Sequence, residues 1–270
     1  MKDLRIGIVV LSSKIGKIQQ NLEKIAAWTK KAKKERADLI CFPEMNITGY
    51  SVSDHTTKTA LCASCKTTDK IRQLAAEHSI TILAGMAEKD KAGNLFVSHL
   101  VFAPDKSIEI YRKLHMSPPE RDVFTEGSKI PLFEINGVKF GIQLCYDAHF
   151  PELSSNMAVR GAEVIFMPHA SPRGTSKEKY KSWMRHLTAR AYDNSIFIVA
   201  CNQTGDNGSG LNFPGLSLVL GPSGNILCKD LNGMENMLMA DLKAEDMLKV
   251  RGHRMRFFLP SRRSHDLYKI

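Results

Sequence analysis

No run of apolar residues in this 270-residue chain approaches the roughly 20 needed to cross a bilayer, so no membrane-spanning helix is expected. Aromatic residues are few, at 7%, and no recognised nucleic-acid-binding module accompanies the lysine and arginine clusters. That argues against a nucleic-acid surface built on stacking. Cys62-Ala-Ser-Cys65 has no second CxxC to complete a zinc site, and His149 and His169 lack an HExxH spacing. A metal site is therefore not expected. There is also no Pro-, Gly- or Ser-rich linker and no internal repeat, which leaves one domain as the simplest organisation.

What is present is ordinary for a globular protein: 43% hydrophobic and 24% charged residues, with a net charge of +10. The basic residues are spread out except at Lys30-Lys31 to Lys33-Lys34 and from Arg251 to Arg263. We read them as solvated surface, equally suited to anionic substrates, with no nucleic-acid partner. The first residues lead straight into a short apolar strand rather than a signal peptide, so a cytoplasmic location is expected. Of six cysteines, four sit in or directly after apolar runs and read as small buried hydrophobes.

Apolar runs and helical spacings alternate along the chain. Strands are predicted from Arg5 to Leu11, Leu39 to Phe42, Thr81 to Met86, Leu95 to Phe102, Ile108 to Tyr111, Phe140 to Leu144, Val164 to Met167, Ile196 to Cys201, Gly215 to Leu220 and Asn236 to Leu242. Helices are predicted from Lys17 to Ala37, Thr68 to His78 (capped by Thr67 or Thr68), Pro151 to Arg160, Ser176 to Asp193 and Ala244 to Val250. Asn136-Gly137 between two apolar runs is a hairpin signal.

Three polar residues stand just beyond predicted strands: Glu44, Lys113 and Cys145. In α/β proteins ligand sites gather beyond the carboxyl ends of strands, so these three are candidates to converge. Their surroundings carry a stronger signal. Phe42-Pro43-Glu44-Met45-Asn46-Ile47-Thr48-Gly49-Tyr50, Tyr111-Arg112-Lys113-Leu114-His115 and Cys145-Tyr146-Asp147-Ala148-His149-Phe150-Pro151-Glu152 resemble, in order, the glutamate, lysine and nucleophile segments of the nitrilase superfamily. The likeness continues through Arg160-Gly161-Ala162-Glu163 and Arg190-Ala191-Tyr192-Asp193-Asn194.

The resemblance implies an α-β-β-α sandwich spanning residues 1–270 that forms a homodimer, with 251–270 as a candidate dimerisation arm, and that needs neither an organic cofactor nor a metal. It implies Cys145 as nucleophile, Glu44 as general base and acid, and Lys113 with the Tyr146 backbone N–H as oxyanion donors. Glu120 falls where the family has a second glutamate that positions lysine or substrate. The residue types suit the chemistry: an amide needs a strong nucleophile, and a free thiol needs a base or cation to become one. His149 is expected to line the pocket or pack, although a Cys–His dyad is conceivable. Arg173, after a strand in Ser171-Pro172-Arg173-Gly174, is a candidate partner for a substrate carboxylate. Cys145-Tyr146-Asp147 is closer to the amidase and carbamoylase branches than to Cys-Trp-Glu of nitrilases proper. The expected substrate is a small linear amide or N-carbamoyl compound. Nitrile hydrolysis at the same residues and an idle binding protein are the alternatives.

Overall fold

The computed structural model of the protein describes residues 1–262. Two six-stranded sheets lie at its centre. The first runs in the order β14 (Asn236–Leu242), β1 (Leu4–Val10), β2 (Leu39–Cys41), β3 (Thr81–Lys89), β4 (Leu95–Phe102), β5 (Ile108–Arg112). The second is β13 (Ile226–Asp230), β12 (Ser217–Leu220), β9 (Phe197–Asn202), β8 (Val164–His169), β7 (Val138–Ile142), β6 (Phe133–Ile135). Beside them, β10 (Thr204–Asp206) and β11 (Asn212–Pro214) make a small hairpin.

Parallel pairing holds the middle of each sheet, β1 to β2 to β3 and β7 to β8 to β9. Parallel neighbours need crossovers, which helices supply. Helix α1 (Ile18–Lys34) links β1 to β2, and the segment carrying α2 (His55–Thr59) and α3 (Lys66–His78) links β2 to β3. In the second sheet α4 (Pro151–Val159) joins β7 to β8, while α5 (Ser176–Met184) and α6 (Leu187–Asn194) join β8 to β9. A last helix, α7 (Ala244–Arg251), follows β14.

Side-chain alternation explains the layering. Leu4, Ile6 and Ile8 of β1, Leu39 and Cys41 of β2 and Leu83 of β3 enter one core shared with Phe140, Phe166, Phe197 and Leu218 of the second sheet. Val9, Ile40, Ile82 and Ala84 point the other way, onto Leu22, Ile25 and Ala32 of α1 and Ile71 and Ala75 of α3. Truncating a ring such as Phe166 in that shared core would cost about 3–5 kcal/mol. Helices α4 and α6 pack together, with α6 against β9 and β12, and close the far side. The expected α-β-β-α sandwich in one domain is the observed fold.

The Asn136-Gly137 hairpin joins β6 to β7 with both residues left-handed, at φ 51° and 79°. That is the geometry two-residue hairpins favour and glycine tolerates. Three details depart from the predictions. The cap of α3 is Cys65 rather than a threonine, and Thr68 acts from the third helical position by accepting the Cys65 N–H at 3.0 Å. The single helix expected from Ser176 to Asp193 is two, because His186 leaves the helical region (φ −124°) and its ring comes to rest 4.5 Å from that of His149. The short elements α2, β10 and β11 carry too few apolar residues to stand out in the sequence. No helix among the described residues is long and apolar enough to cross a membrane.

Within the span proposed as a dimerisation arm, the observed part folds back on its own chain. Arg262 Nη2 donates to Asn194 Oδ1 at 2.7 Å and to Asp193 O at 3.1 Å, and the Phe258 ring lies 5.6 Å from Tyr192. Residues 263–270 lie outside the described region.

Candidate active site

Glu44 follows β2 on a segment held by its own polar side chains. Asn46 Oδ1 accepts the Gly85 N–H at 2.8 Å and Thr48 Oγ1 accepts the Ala87 N–H at 2.9 Å, so the loop runs along the edge of β3. The approach is close: a Cβ on Gly85 would sit 2.7 Å from the Met45 nitrogen. Met45 is itself left-handed, at φ 54°. The second sheet fixes Glu44 from the other side. Ala170 N–H donates to Glu44 Oε2 at 2.8 Å, and Gln203 Nε2 donates to the Glu44 carbonyl at 2.7 Å.

Lys113 extends β5 by one residue, its N–H donating to Val97 O. The side chain is fully buried, and Nζ reaches Glu44 Oε1 at 2.9 Å and both oxygens of Glu120 at 2.8 Å. Glu120 closes a 3-10 turn, Pro118–Glu120, and accepts the Ser117 N–H at 2.8 Å and the Tyr50 hydroxyl at 3.2 Å.

Cys145 stands past the end of β7, at the start of a 3-10 turn, Cys145–His149, with φ 46°. A non-glycine residue in this region stores roughly 1–3 kcal/mol of strain, which clusters where the chain must aim a side chain. Tyr146 is next, at the turn's N-terminal end, where the first N–H groups have no partner earlier in the turn. Asp147 braces the turn. Its Oδ2 accepts the Leu144 N–H at 3.0 Å and the Tyr111 hydroxyl at 2.7 Å, and its Oδ1 accepts the His115 N–H at 2.9 Å.

The charges follow from two carboxylates sharing one ammonium. Burial alone would discharge Lys113, but Glu44 and Glu120 outweigh it and hold its pKa well above the usual value. Burial likewise raises Glu120, yet Lys113 and the Ser117 N–H bring it below the ordinary carboxylate range. Glu44 is the odd carboxylate. Burial raises it, Lys113 opposes and Glu120 adds to the rise, leaving it at about 7. Cys145 is pushed up by burial and by Glu44, against the pull of Lys113, so the resting group is a thiol. The arrangement therefore sets a carboxylate of raised pKa and a protonated thiol beside one ammonium.

Four of the sequence candidates thus share one place, Glu44, Lys113, Glu120 and Cys145, and Tyr146 is the next residue of the turn. His149 is exposed, its ring 5.5 Å from that of Tyr146 and with no hydrogen bond to Cys145 among the described residues. Arg173 is exposed on a left-handed turn, φ 69°, with its N–H on Asn212 O. Asp147, Tyr50, Gln203 and Lys179 were not singled out from the sequence. Two of these, Asp147 and Tyr50, lie inside the quoted motif segments, which is the signal that could have found them. A separate cleft of about 440 Å³, lined by Phe96, Arg112, Gly127 and Lys129, contains none of the four catalytic candidates. No group of three or more potential ligands suits a metal among the described residues.

Known proteins resemble this chain over most of their length. The 2-oxoglutaramate amidase of Bacillus subtilis is 29% identical over 87% of this chain and 89% of its own. The nitrilase of Pyrococcus abyssi is 28% identical over 93% of both. An amidase from Nesterenkonia sp. superposes with a TM-score of 0.85, at 24% identity, over 98% of this chain and 95% of its own. The carbon-nitrogen hydrolase family model matches residues 5–251, and the chain accordingly belongs to that family, as an enzyme of the nitrilase superfamily that hydrolyses carbon–nitrogen bonds.

Proposed function

We propose that the protein hydrolyses small linear amides or N-carbamoyl compounds through a thioester on Cys145. The observation that carries this reading is the odd carboxylate: Glu44, raised to about 7, shares the Lys113 ammonium with an ionised Glu120. A base poised near working pH both takes and returns a proton efficiently.

Glu44 takes the thiol proton as Sγ attacks the carbonyl carbon. The carbonyl oxygen becomes an oxyanion, stabilised by the Lys113 ammonium and the Tyr146 N–H. Protonated Glu44 gives its proton to the departing ammonia or amine, and the C–N bond breaks. Water, deprotonated by Glu44, then attacks the thioester carbon, and Cys145 leaves and regains its proton. Each oxyanion donor is worth about 100- to 1000-fold in rate in such sites. Glu120 keeps Lys113 charged and in place.

The working form is a homodimer, a reading supported by large apolar side chains left exposed on α4 and α6, Val159 at 62% and Tyr192 at 43%. Ammonia release from a panel of amides, carbamoyl compounds and nitriles, with Cys145→Ala beside wild type, tests the reaction. Release by wild type alone from an amide or carbamoyl compound is the expected result. Release from nitriles alone, or equal release by both proteins, overturns it.

A further inference from the structure

A second lysine is anchored beside the same site. Lys179 lies in the first turn of α5, whose N-terminus is fixed by a Thr175–Glu178 capping box. Its ammonium donates to Ser171 Oγ at 2.8 Å and to Pro172 O at 3.3 Å. Ser171 adjoins Ala170, whose N–H holds Glu44. Four residues along the same face of α5, Trp183 is buried and rests 4.3 Å from the His169 ring at the end of β8. Lys179 is thus anchored on the stretch that supports the general base.

Three features make this cation unusual. It is half-buried, yet no carboxylate pairs with it among the described residues. An ammonium has three donors, and two are used, which leaves one for something else. Burial pulls it below the ordinary lysine value while Cys145 opposes that pull, so the two groups are near enough to feel each other's charge. A cation partly out of water without a counter-ion is a costly arrangement. A substrate that brings the counter-ion would relieve it. Arg173, the basic residue that the sequence offered for this task, is exposed with no side-chain partner among the described residues.

We propose that Lys179 is the specificity-determining residue for a substrate carboxylate: the enzyme takes amides whose far end is an anion, and the free N–H of Lys179 receives it. This rests on the amidase reading above.

The test compares kcat/KM for two ω-amide acids, succinamate and glutaramate, with that for neutral pentanamide and hexanamide, in wild type, Lys179→Met and Lys179→Arg. A charge-assisted hydrogen bond is worth about 1.5–3 kcal/mol, which corresponds to a preference of roughly 10- to 150-fold. Wild type should favour the better acid by about that factor. Lys179→Met should lose most of the preference, chiefly through KM, whereas Lys179→Arg, which keeps the charge, should retain part of it. A wild type indifferent to the carboxylate overturns the proposal. So does a Lys179→Met variant that loses acid and neutral substrates alike, because that result makes Lys179 a clamp on Ser171 and Pro172. Failure of wild type on every amide and carbamoyl compound would instead sink the reading of the reaction, and this proposal with it.

Discussion

The Tyr111 hydroxyl donates to Asp147 Oδ2 at 2.7 Å, and both groups are buried. Tyr111 stands two residues before Lys113 and Asp147 two residues after Cys145, so one hydrogen bond couples the lysine strand of one sheet to the nucleophile turn of the other. Removing a donor from a buried charge costs about 1–3 kcal/mol. Tyr111→Phe should therefore lower Tm by a few degrees and kcat by about tenfold, with KM little changed. Unaltered kcat in a variant of lowered Tm would show that the bond serves stability alone.

Activity should depend on pH through Glu44. The carboxylate is the active form and its pKa is raised to about 7, so kcat/KM should fall about tenfold per unit as pH drops below that value. Lys113 is held well above its ordinary value and contributes no loss on the alkaline side through pH 9. A profile that stays flat down to pH 5 would remove Glu44 from the role of base.

Glu120→Gln makes a sharper test of the shared ammonium. Glu120 helps to raise Glu44, and it also competes for Lys113. Without its charge both effects reverse, so the acidic limb of the pH–rate profile should move to lower pH while kcat falls. A limb that stays in place, or moves up, would contradict the charge balance described for the site.

The left-handed backbone at Cys145 yields a prediction on stability. Glycine adopts φ 46° without strain and alanine does not. Cys145→Gly should melt higher than Cys145→Ala by about 2–4 °C, the shift expected from roughly 1 kcal/mol in a protein of this size. Both variants should be inactive. Equal melting temperatures would indicate that the turn carries no strain.

Much of the site was legible because its chemistry sits just past short apolar strands. Glu44 after Leu39–Cys41, Lys113 after Ile108–Arg112 and Cys145 after Val138–Ile142 could each be placed from local pattern. Contacts decided across the sandwich could not be placed this way. Asp147 reads as one more acidic residue until Tyr111 and His115 are seen to converge on it. Lys179 sits in the charged run Ser176-Lys177-Glu178-Lys179-Tyr180-Lys181, where nothing local separates the half-buried lysine from its exposed neighbour Lys177. The break at His186 was hidden for a related reason: the helical pattern continues through it, and a histidine from another segment marks the place.

Glu44 and Lys113 extend strands of the first sheet, and Cys145 extends a strand of the second. On the proposed mechanism, neither sheet alone holds both the nucleophile and the means to activate it. During refolding, the return of enzymatic turnover would therefore time the docking of the two sheets, and any intermediate with only one sheet in order would be chemically silent. On the proposed mechanism the same division leaves Cys145 without its base until the halves meet.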